Sequence, residues 1–352
     1  MVQNKSLIFK EIPEGFPEPG KHLVLEDRPI DIENPDLGEE GILIKIHYVS
    51  FDPYQRGRMR DAKIQSYSPA FPLNEPITNN TISKVIKSNS PRFKEGDVVT
   101  GMANTAEYQI ISGKEALSQI RPLNNPHNLP EHYFLGVLGM PGLTAYSSLY
   151  EIGKPKKGET IFITAASGAV GQLVGQIALH EGLTVIGSAG TDEKVQYLKE
   201  KLKFTHAFNY KKTKVEEFMK EVAPDGIDIY YDNVGGPTSQ WALENMKLHG
   251  RFIICGAISQ YNLPPKEQTK FSINELWLLQ RRITMRGFIV GDEELGPKHY
   301  KDHQERVGKW LKEGSFIYTD HVTEGIDNAA QGLLDIFHGK NFGKAWLKVA
   351  DL

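Results

Sequence analysis

Thr160-Ile161-Phe162-Ile163-Thr164-Ala165-Ala166-Ser167-Gly168-Ala169-Val170-Gly171 is the stretch on which the fold turns. Its first five residues are apolar or β-branched and predict a short buried strand, and residues 169–180 then put Val170, Leu173, Val174, Ile177 and Ala178 on one helical face. Small residues join the two. Ala166, Gly168 and Gly171 stand at the spacing of the dinucleotide fingerprint, with alanine in the first place. Small side chains there let the backbone approach a pyrophosphate, which rests on the N–H groups of the helix start. A lone glycine triplet is weak evidence; here the strand before it, the amphipathic helix after it and a further strand accompany it.

Working outward, strands are predicted at 183–187, 227–232, 251–255 and 283–289, and helices at 194–202, 237–248 and 273–280. Repeated βα units need crossovers, so they imply a mostly parallel sheet with helices on both faces: an α/β, doubly wound Rossmann domain. The first third reads differently. From Leu7 to about Ile111 short apolar runs (42–49, 98–101, 107–111) alternate with Pro/Gly/Asn-rich stretches, the pattern of a compact β domain. Residues 121–130, with Pro122, Pro126 and Pro130, read as a connector. The tail, 316–352, holds one helix (326–337) and a closing strand (345–349), and periodicity leaves open which domain they join.

With 352 residues the chain suits about two domains. Hydrophobic residues at 39% and charged ones at 24% are those of a globular protein with a real core. The 41 basic and 44 acidic residues are scattered, without the Lys/Arg block that tracks a phosphate backbone, so nucleic acid is not the expected partner. The single cysteine, Cys255, cannot form an internal disulfide, which fits a reducing compartment. Residues 1–20 carry charges and prolines where a secretory signal needs an apolar core, and no apolar run reaches the roughly 18 residues of a membrane span. The expected location is cytoplasmic, with no membrane partner.

Cofactor choice is argued from the end of the second strand. An NAD site usually has an acid about 20 residues on, for the ribose 2′-OH. This chain has Gly187-Ser188-Ala189-Gly190 there, and Lys194 follows. Nothing repels a 2′-phosphate and Lys194 offers it a charge, so NADPH/NADP is favoured over NADH; the alternative for Lys194 is a solvated surface lysine. Zinc is not expected, because one cysteine does not supply the ligands. His299 and His303 share a helical spacing but lack the intervening Glu of a metalloprotease motif, and they read as solvated surface histidines. Without a metal, a developing oxyanion needs a donor. The loop from Cys255 through Gly256-Ala257-Ile258-Ser259-Gln260-Tyr261-Asn262 follows a predicted parallel strand and so lies at the ligand-binding edge, where the Tyr261 phenol can donate.

These residues together resemble the zinc-independent branch of the medium-chain dehydrogenase/reductase superfamily, and within it the alkenal/one reductases, also called prostaglandin reductases or NADPH-dependent double-bond reductases. The resemblance runs over the whole chain. It is carried by residues 51–59 (FDPYQRGRM), 139–146 (GMPGLTAY), 165–171, 232–236 (DNVGG), 255–262 and 339–344 (GKNFGK). It implies a GroES-like substrate domain from 1–128 and 315–352, a Rossmann NADP-binding domain from 129–314, a cleft for NADPH, and a homodimer. By the family's pattern Lys194 and Tyr210 would hold the 2′-phosphate, Gly168 and Val170 the pyrophosphate, and Asn233 and Asn341 other parts of the cofactor. Met140, Thr144, Cys255, Phe288 and Val290 would lie near the cofactor, while Tyr54 and Tyr261 would face the substrate as the catalytic pair. The implied reaction is hydride addition to the β-carbon of an enal or enone, with Tyr261 as oxyanion donor, helped by the cofactor's ribose hydroxyl. A zinc-free quinone reductase and a non-catalytic NADPH-binding protein are the rival readings. The chain departs from the family at 77–82 (ITNNTI, where glycines are usual), at Asn104-Thr105 and at Gln55. These changes bear on substrate preference.

Overall fold

The computed structural model of the chain describes residues 1–264, Glu267 and residues 274–352. They form two compact units, Gly136–Thr319 and Met1–Leu135 with Asp320–Leu352.

Six parallel strands make the sheet of the Gly136–Thr319 unit, in the order His206–Asn209, Thr184–Ala189, Thr160–Ile163, Ile227–Asp232, Met246–Ile254, Thr284–Gly287. Ile161, Phe162 and Ile163 are all fully buried, as a central strand covered on both faces requires. Register places Ile186 and Tyr230 beside Phe162, and Phe252 beside Tyr230. Their rings meet at centroid distances of 5.4 Å (Phe162 to Tyr230) and 4.7 Å (Tyr230 to Phe252), in one core that also holds Phe208, Met219 and Leu243. Strand order reverses at Thr160–Ile163, whose neighbours on either side come from different halves of the unit. At such a switch point the loops after the strands splay apart and leave room for a ligand.

Several elements differ from expectation. The helix expected at 237–248 ends at Glu244, because Met246 is already paired with Ile227 and His249 turns the backbone at φ +62°. Ile273, expected to open the next helix, lies outside the described residues, and the helix is Glu275–Arg281. Three helices and a strand were not expected at all: Met140–Ser148, Val215–Val222, Gly296–Glu313 and His206–Asn209. The longest, Gly296–Glu313, escapes an apolar-period reading because its buried side includes Gly296, His303 and Gly308. The surface reading of the two histidines is corrected with it. His303 is fully buried, its Nε2 3.0 Å from the Val137 carbonyl, and His299 is half-covered with Nε2 3.2 Å from Glu151 Oε2. Both ride the face that packs on Met140–Ser148.

The other unit is built on a sheet ordered Asp320–Glu324, Lys344–Lys348, Gly41–Ser50, Thr78–Ser88, Val98–Asn104, Ile120–Pro122, with Tyr108–Ser112 also paired to Gly41–Ser50. A smaller sheet holds Leu23–Asp27, Lys5–Phe9 and Glu75–Pro76. The tail's last strand joins this unit, with Trp346 opposite Ser50 in antiparallel register. Its helix Ala329–Phe337 packs Leu333 and Ile336 into the same core as Ile44, Phe51 and Leu347.

Candidate functional site

The turn after Thr160–Ile163 is tightly built. Ala165 adopts a left-handed φ of +47°, and the Gly168 N–H donates to its carbonyl at 2.9 Å. Gly171 tolerates no side chain: a Cβ there would lie 2.5 Å from the Ala165 oxygen and 2.7 Å from the Ala166 Cα. Gly187 is similarly pressed, with its would-be Cβ 2.8 Å from the Ala166 Cβ, so the first two strands close up beneath the turn. The helix Gly171–His180 begins with no side-chain cap; the Gln172 N–H donates to the Gly168 carbonyl at 3.2 Å and the Leu173 N–H to the Val170 carbonyl at 3.0 Å.

Asp232 fastens the neighbouring loop to this turn. Its buried carboxylate accepts the N–H groups of Val234 and Gly235, each at 2.9 Å, and the hydroxyls of Thr164 and Ser239. Asn233 completes the clasp, its Nδ2 donating to the Thr164 carbonyl at 2.7 Å. Sequence reading quoted Asp232 without giving it a role; an acid ending an apolar strand beside glycines is the signal that could have found it.

At the end of Thr184–Ala189, Thr191 caps the helix Asp192–Glu200 by accepting the Lys194 N–H. A Cβ on Gly190 would meet the Tyr210 hydroxyl at 3.3 Å and the Lys211 Cε at 3.5 Å. Burial, and then the charge of Lys211, hold the Lys194 ammonium below the ordinary lysine range. Tyr210 and Lys211 thus meet beside Gly190, with the Lys211 charge acting on Lys194: two cations and a hydroxyl at the end of this strand. Lys211 was missed in the sequence. Among the described residues it has no carboxylate partner, and its N–H is held by the Asn209 side chain at 3.1 Å.

Next along the edge, Cys255 is half-buried, and desolvation pushes its thiol up to about 12, so it stays protonated. Its N–H and that of Gly256 both donate to the Asp232 carbonyl. Ser259 Oγ donates to the Val234 carbonyl at 2.6 Å, which lays the loop against Asn233 and Val234. There the Tyr261 hydroxyl accepts the Ala257 N–H at 3.2 Å. Elsewhere in this unit, Thr144 Oγ1 donates to the Met140 carbonyl at 2.7 Å, and the Gly296 N–H donates to the Val290 carbonyl, close to Leu143. Phe288 follows the edge strand Thr284–Gly287 and is partly exposed.

Tyr54 and Asn341 belong to the other unit. Asn341 Nδ2 donates to the Gly343 carbonyl at 2.8 Å and shapes its own loop. Tyr54 precedes the short helix Gln55–Arg58, and its hydroxyl donates to Asn79 Oδ1 at 2.6 Å. Burial, seconded by the Asp52 charge, pushes the Tyr54 phenol well above its ordinary range. Behind it Lys344, fully buried, donates to Asp52 Oδ1 at 2.7 Å and to the Phe51 carbonyl at 2.6 Å.

Residues 5–119 match a family described as the N-terminal domain of oxidoreductase, and residues 169–306 one described as zinc-binding dehydrogenase. The chain is 50% identical, over 353 residues covering 100% of it and 99% of the relative, to the NADP-dependent oxidoreductase RED1 of Cochliobolus heterostrophus. It is 43% identical to the NADP-dependent 2-alkenal reductase of Nicotiana tabacum, with 99% and 98% of the two chains covered. Among solved structures, CurA of Vibrio vulnificus in complex with NADPH superposes with a TM-score of 0.87 at 34% identity, over 99% of this chain and 100% of that one. The chain belongs to the medium-chain dehydrogenase/reductase superfamily, in its zinc-independent, alkenal reductase branch.

Among the described residues no group of three or more His, Cys, Asp or Glu side chains is gathered so that it could hold a metal ion. His299 and His303 are each engaged by a Glu151 oxygen and a main-chain carbonyl respectively. No helix of the described residues is long and apolar enough to cross a membrane.

Proposed function

We propose that the protein is an NADPH-dependent reductase of the carbon–carbon double bond of α,β-unsaturated aldehydes and ketones. The observation that carries this reading is the meeting, on one sheet edge, of a glycine turn shaped for a pyrophosphate, the Lys194, Tyr210 and Lys211 cluster, and the Tyr261 hydroxyl. Whole-length similarity to a 2-alkenal reductase supports the substrate class.

In this reading Gly168 and Val170 receive the pyrophosphate, Lys194 and Tyr210 the 2′-phosphate, and Asn233 and Asn341 further parts of the cofactor. Met140, Thr144, Phe288 and Val290 would lie near its nicotinamide, and Cys255 would be a further cofactor contact. When bound, NADPH supplies the hydride that goes to the β-carbon. Tyr261 gives a hydrogen bond to the carbonyl oxygen as negative charge collects there; a phenol with a reference pKa of about 10 keeps its proton at neutral pH. Tyr54 is read as the second residue that faces the substrate. Protonation at the α-carbon then completes the saturated product. We read the protein as a cytoplasmic homodimer, on the family's habit and on a single cysteine that cannot form an internal disulfide.

Steady-state NADPH oxidation with short 2-alkenals, aryl enones and quinones tests the reading. Turnover of enals and enones to saturated carbonyl products is expected. Turnover confined to quinones, or none with any of the panel, overturns it.

A further inference from the structure

Two glutamines of the helix Gly171–His180, Gln172 and Gln176, stand outside the apolar face at Val170, Leu173, Val174, Ile177 and Ala178, yet both are buried. Each spends its carboxamide on the main chain of the segment that ends this unit at Thr319. Gln176 Oε1 accepts the Ile317 N–H and its Nε2 donates to the Ile317 carbonyl, both at 2.7 Å. Gln172 does the same two residues on: its Nε2 donates to the Thr319 carbonyl at 2.8 Å, and its Oε1 accepts the Thr319 N–H at 3.3 Å. Residues 317 and 319 thus turn both main-chain groups toward the helix, as a strand does toward its neighbour, and two side-chain amides stand where a paired strand would be.

Gln172 has a further partner. The Tyr197 hydroxyl, from the helix Asp192–Glu200, donates to Gln172 Oε1 at 3.0 Å. Thr319 fixes the sense of that bond: its carbonyl only accepts and its N–H only donates, so turning the Gln172 amide over would break both contacts at once. The amide oxygen therefore stays toward Tyr197. Burial pushes the Tyr197 phenol up to about 12, so it keeps the proton it donates. Tyr197 lies three residues beyond Lys194, a spacing that makes the two neighbours on one helix surface. At its main chain Gln172 belongs to the glycine turn, since its N–H donates to the Gly168 carbonyl at 3.2 Å. One residue thus joins the turn read as the pyrophosphate site to the helix that carries Lys194, and the tail segment at Thr319 holds its side chain in place.

We propose that Gln172, braced by Thr319, is a positioning residue for cofactor choice: through Tyr197 it sets where the Lys194 helix stands relative to the glycine turn, so that the pyrophosphate and the 2′-phosphate of one NADPH are met together. It touches neither phosphate itself. The proposal rests on the reading that Lys194 meets the 2′-phosphate. Hydrogen bonds to a phosphate are directional, so a displaced Lys194 helix weakens NADPH. NADH, which lacks the 2′-phosphate, depends on the glycine turn and is indifferent to the displacement. Gln176 supplies the internal comparison, because its bonds go to Ile317 and to the Gln172 carbonyl and not to the Lys194 helix.

The test measures equilibrium binding of NADP+ and NAD+ to the full-length protein and to Tyr197→Phe, Gln172→Met, Gln176→Met and Lys194→Ala. Tyr197→Phe deletes one hydroxyl and should weaken NADP+ by about three- to tenfold, the scale of one neutral hydrogen bond, while NAD+ changes by about twofold or less. Gln172→Met keeps the side-chain length without the amide and should lower the NADP+ over NAD+ preference at least as far. Gln176→Met should leave that preference near its original value. Equal weakening of both cofactors in Tyr197→Phe marks the bond as merely structural and overturns the proposal. So does an unchanged preference in Tyr197→Phe, or a loss in Gln176→Met as large as in Gln172→Met. Should Gln172→Met not fold, Tyr197→Phe decides alone. Lys194→Ala separates the proposal from the reading beneath it: a preference lowered by Lys194→Ala but not by Tyr197→Phe sinks the positioning role alone, whereas a preference indifferent to Lys194→Ala sinks the 2′-phosphate reading and the proposal with it. Binding needs no turnover, so the outcome is independent of which substrate the protein reduces.

Discussion

Lys194 gains its meaning from Lys211. A lysine in the first turn of a helix is ordinarily a solvated group, yet here the ammonium is half-buried, faces a second cation and sits beside the Tyr210 hydroxyl. Two like charges brought together, offset in part by the Glu193 charge, favour a dianion. Lys194→Ala should lower the NADPH over NADH preference, read as the ratio of kcat/KM values, by roughly ten- to a hundredfold, because a charge-assisted hydrogen bond contributes about 1.5–3 kcal/mol. Lys211→Ala, at a more exposed position, should cost several-fold in the same ratio. Equal kcat/KM for the two cofactors in the unmodified protein would remove the basis for both. The missing acid after Gly187 made Lys194 legible in the sequence. Lys211 was not, because nothing in the text brings the end of His206–Asn209 beside the end of Thr184–Ala189. Lys344 is the harder case: it reads as one more surface lysine, and only strand pairing at Gly41–Ser50 reveals that it is buried on Asp52.

At the scale of elements, the loops after the parallel strands were the most legible part of the site. The turn at 165–171 and the loop at 255–262 could be assigned to one edge because parallel strands all end on the same side. Elements whose packing side is polar or small were not legible: Met140–Ser148 buries Gly142, Thr144, Ser147 and Ser148, and these residues carry no apolar period. The Tyr261 loop shows what an element adds to a residue. The loop is bound to Val234 and Asn233, and these to Thr164 and Asp232, so the phenol is held by the same network that shapes the glycine turn. Tyr261→Phe keeps the ring and deletes the hydroxyl. If it is the enolate donor, kcat with an enone should fall by about 10² to 10³ while NADPH affinity holds, since the cofactor's phosphates are met elsewhere. Near-normal kcat would pass the role to the ribose hydroxyl or solvent, and a loss of NADPH binding would mark the tyrosine as structural.

For the molecule as a whole, acid should act through histidines that the fold keeps neutral. His303 is the clearest case. Helix Gly296–Glu313 presses it between the Val137 carbonyl and the ring of Tyr146, and a Cβ on Gly142 would sit 2.9 Å from its Nε2, so no water reaches it. Burial lowers its pKa from 6.5 to about 4. Because the folded value lies below the unfolded one, the unfolded chain binds a proton that the folded chain refuses between those two pH values. Stability is therefore full above about pH 6.5 and falls as the pH drops toward 4, by roughly 3 kcal/mol for a shift of this size. Burial pushes His47 and His132 in the same direction and adds to the slope. Urea unfolding at pH 7.5, 6 and 5 should show the decline. His303→Gln, whose amide can still donate to the Val137 carbonyl but carries no titrating proton, should start less stable at pH 7.5 and lose less between pH 6.5 and 5. Parallel declines in the two proteins would show that the acid sensitivity arises elsewhere.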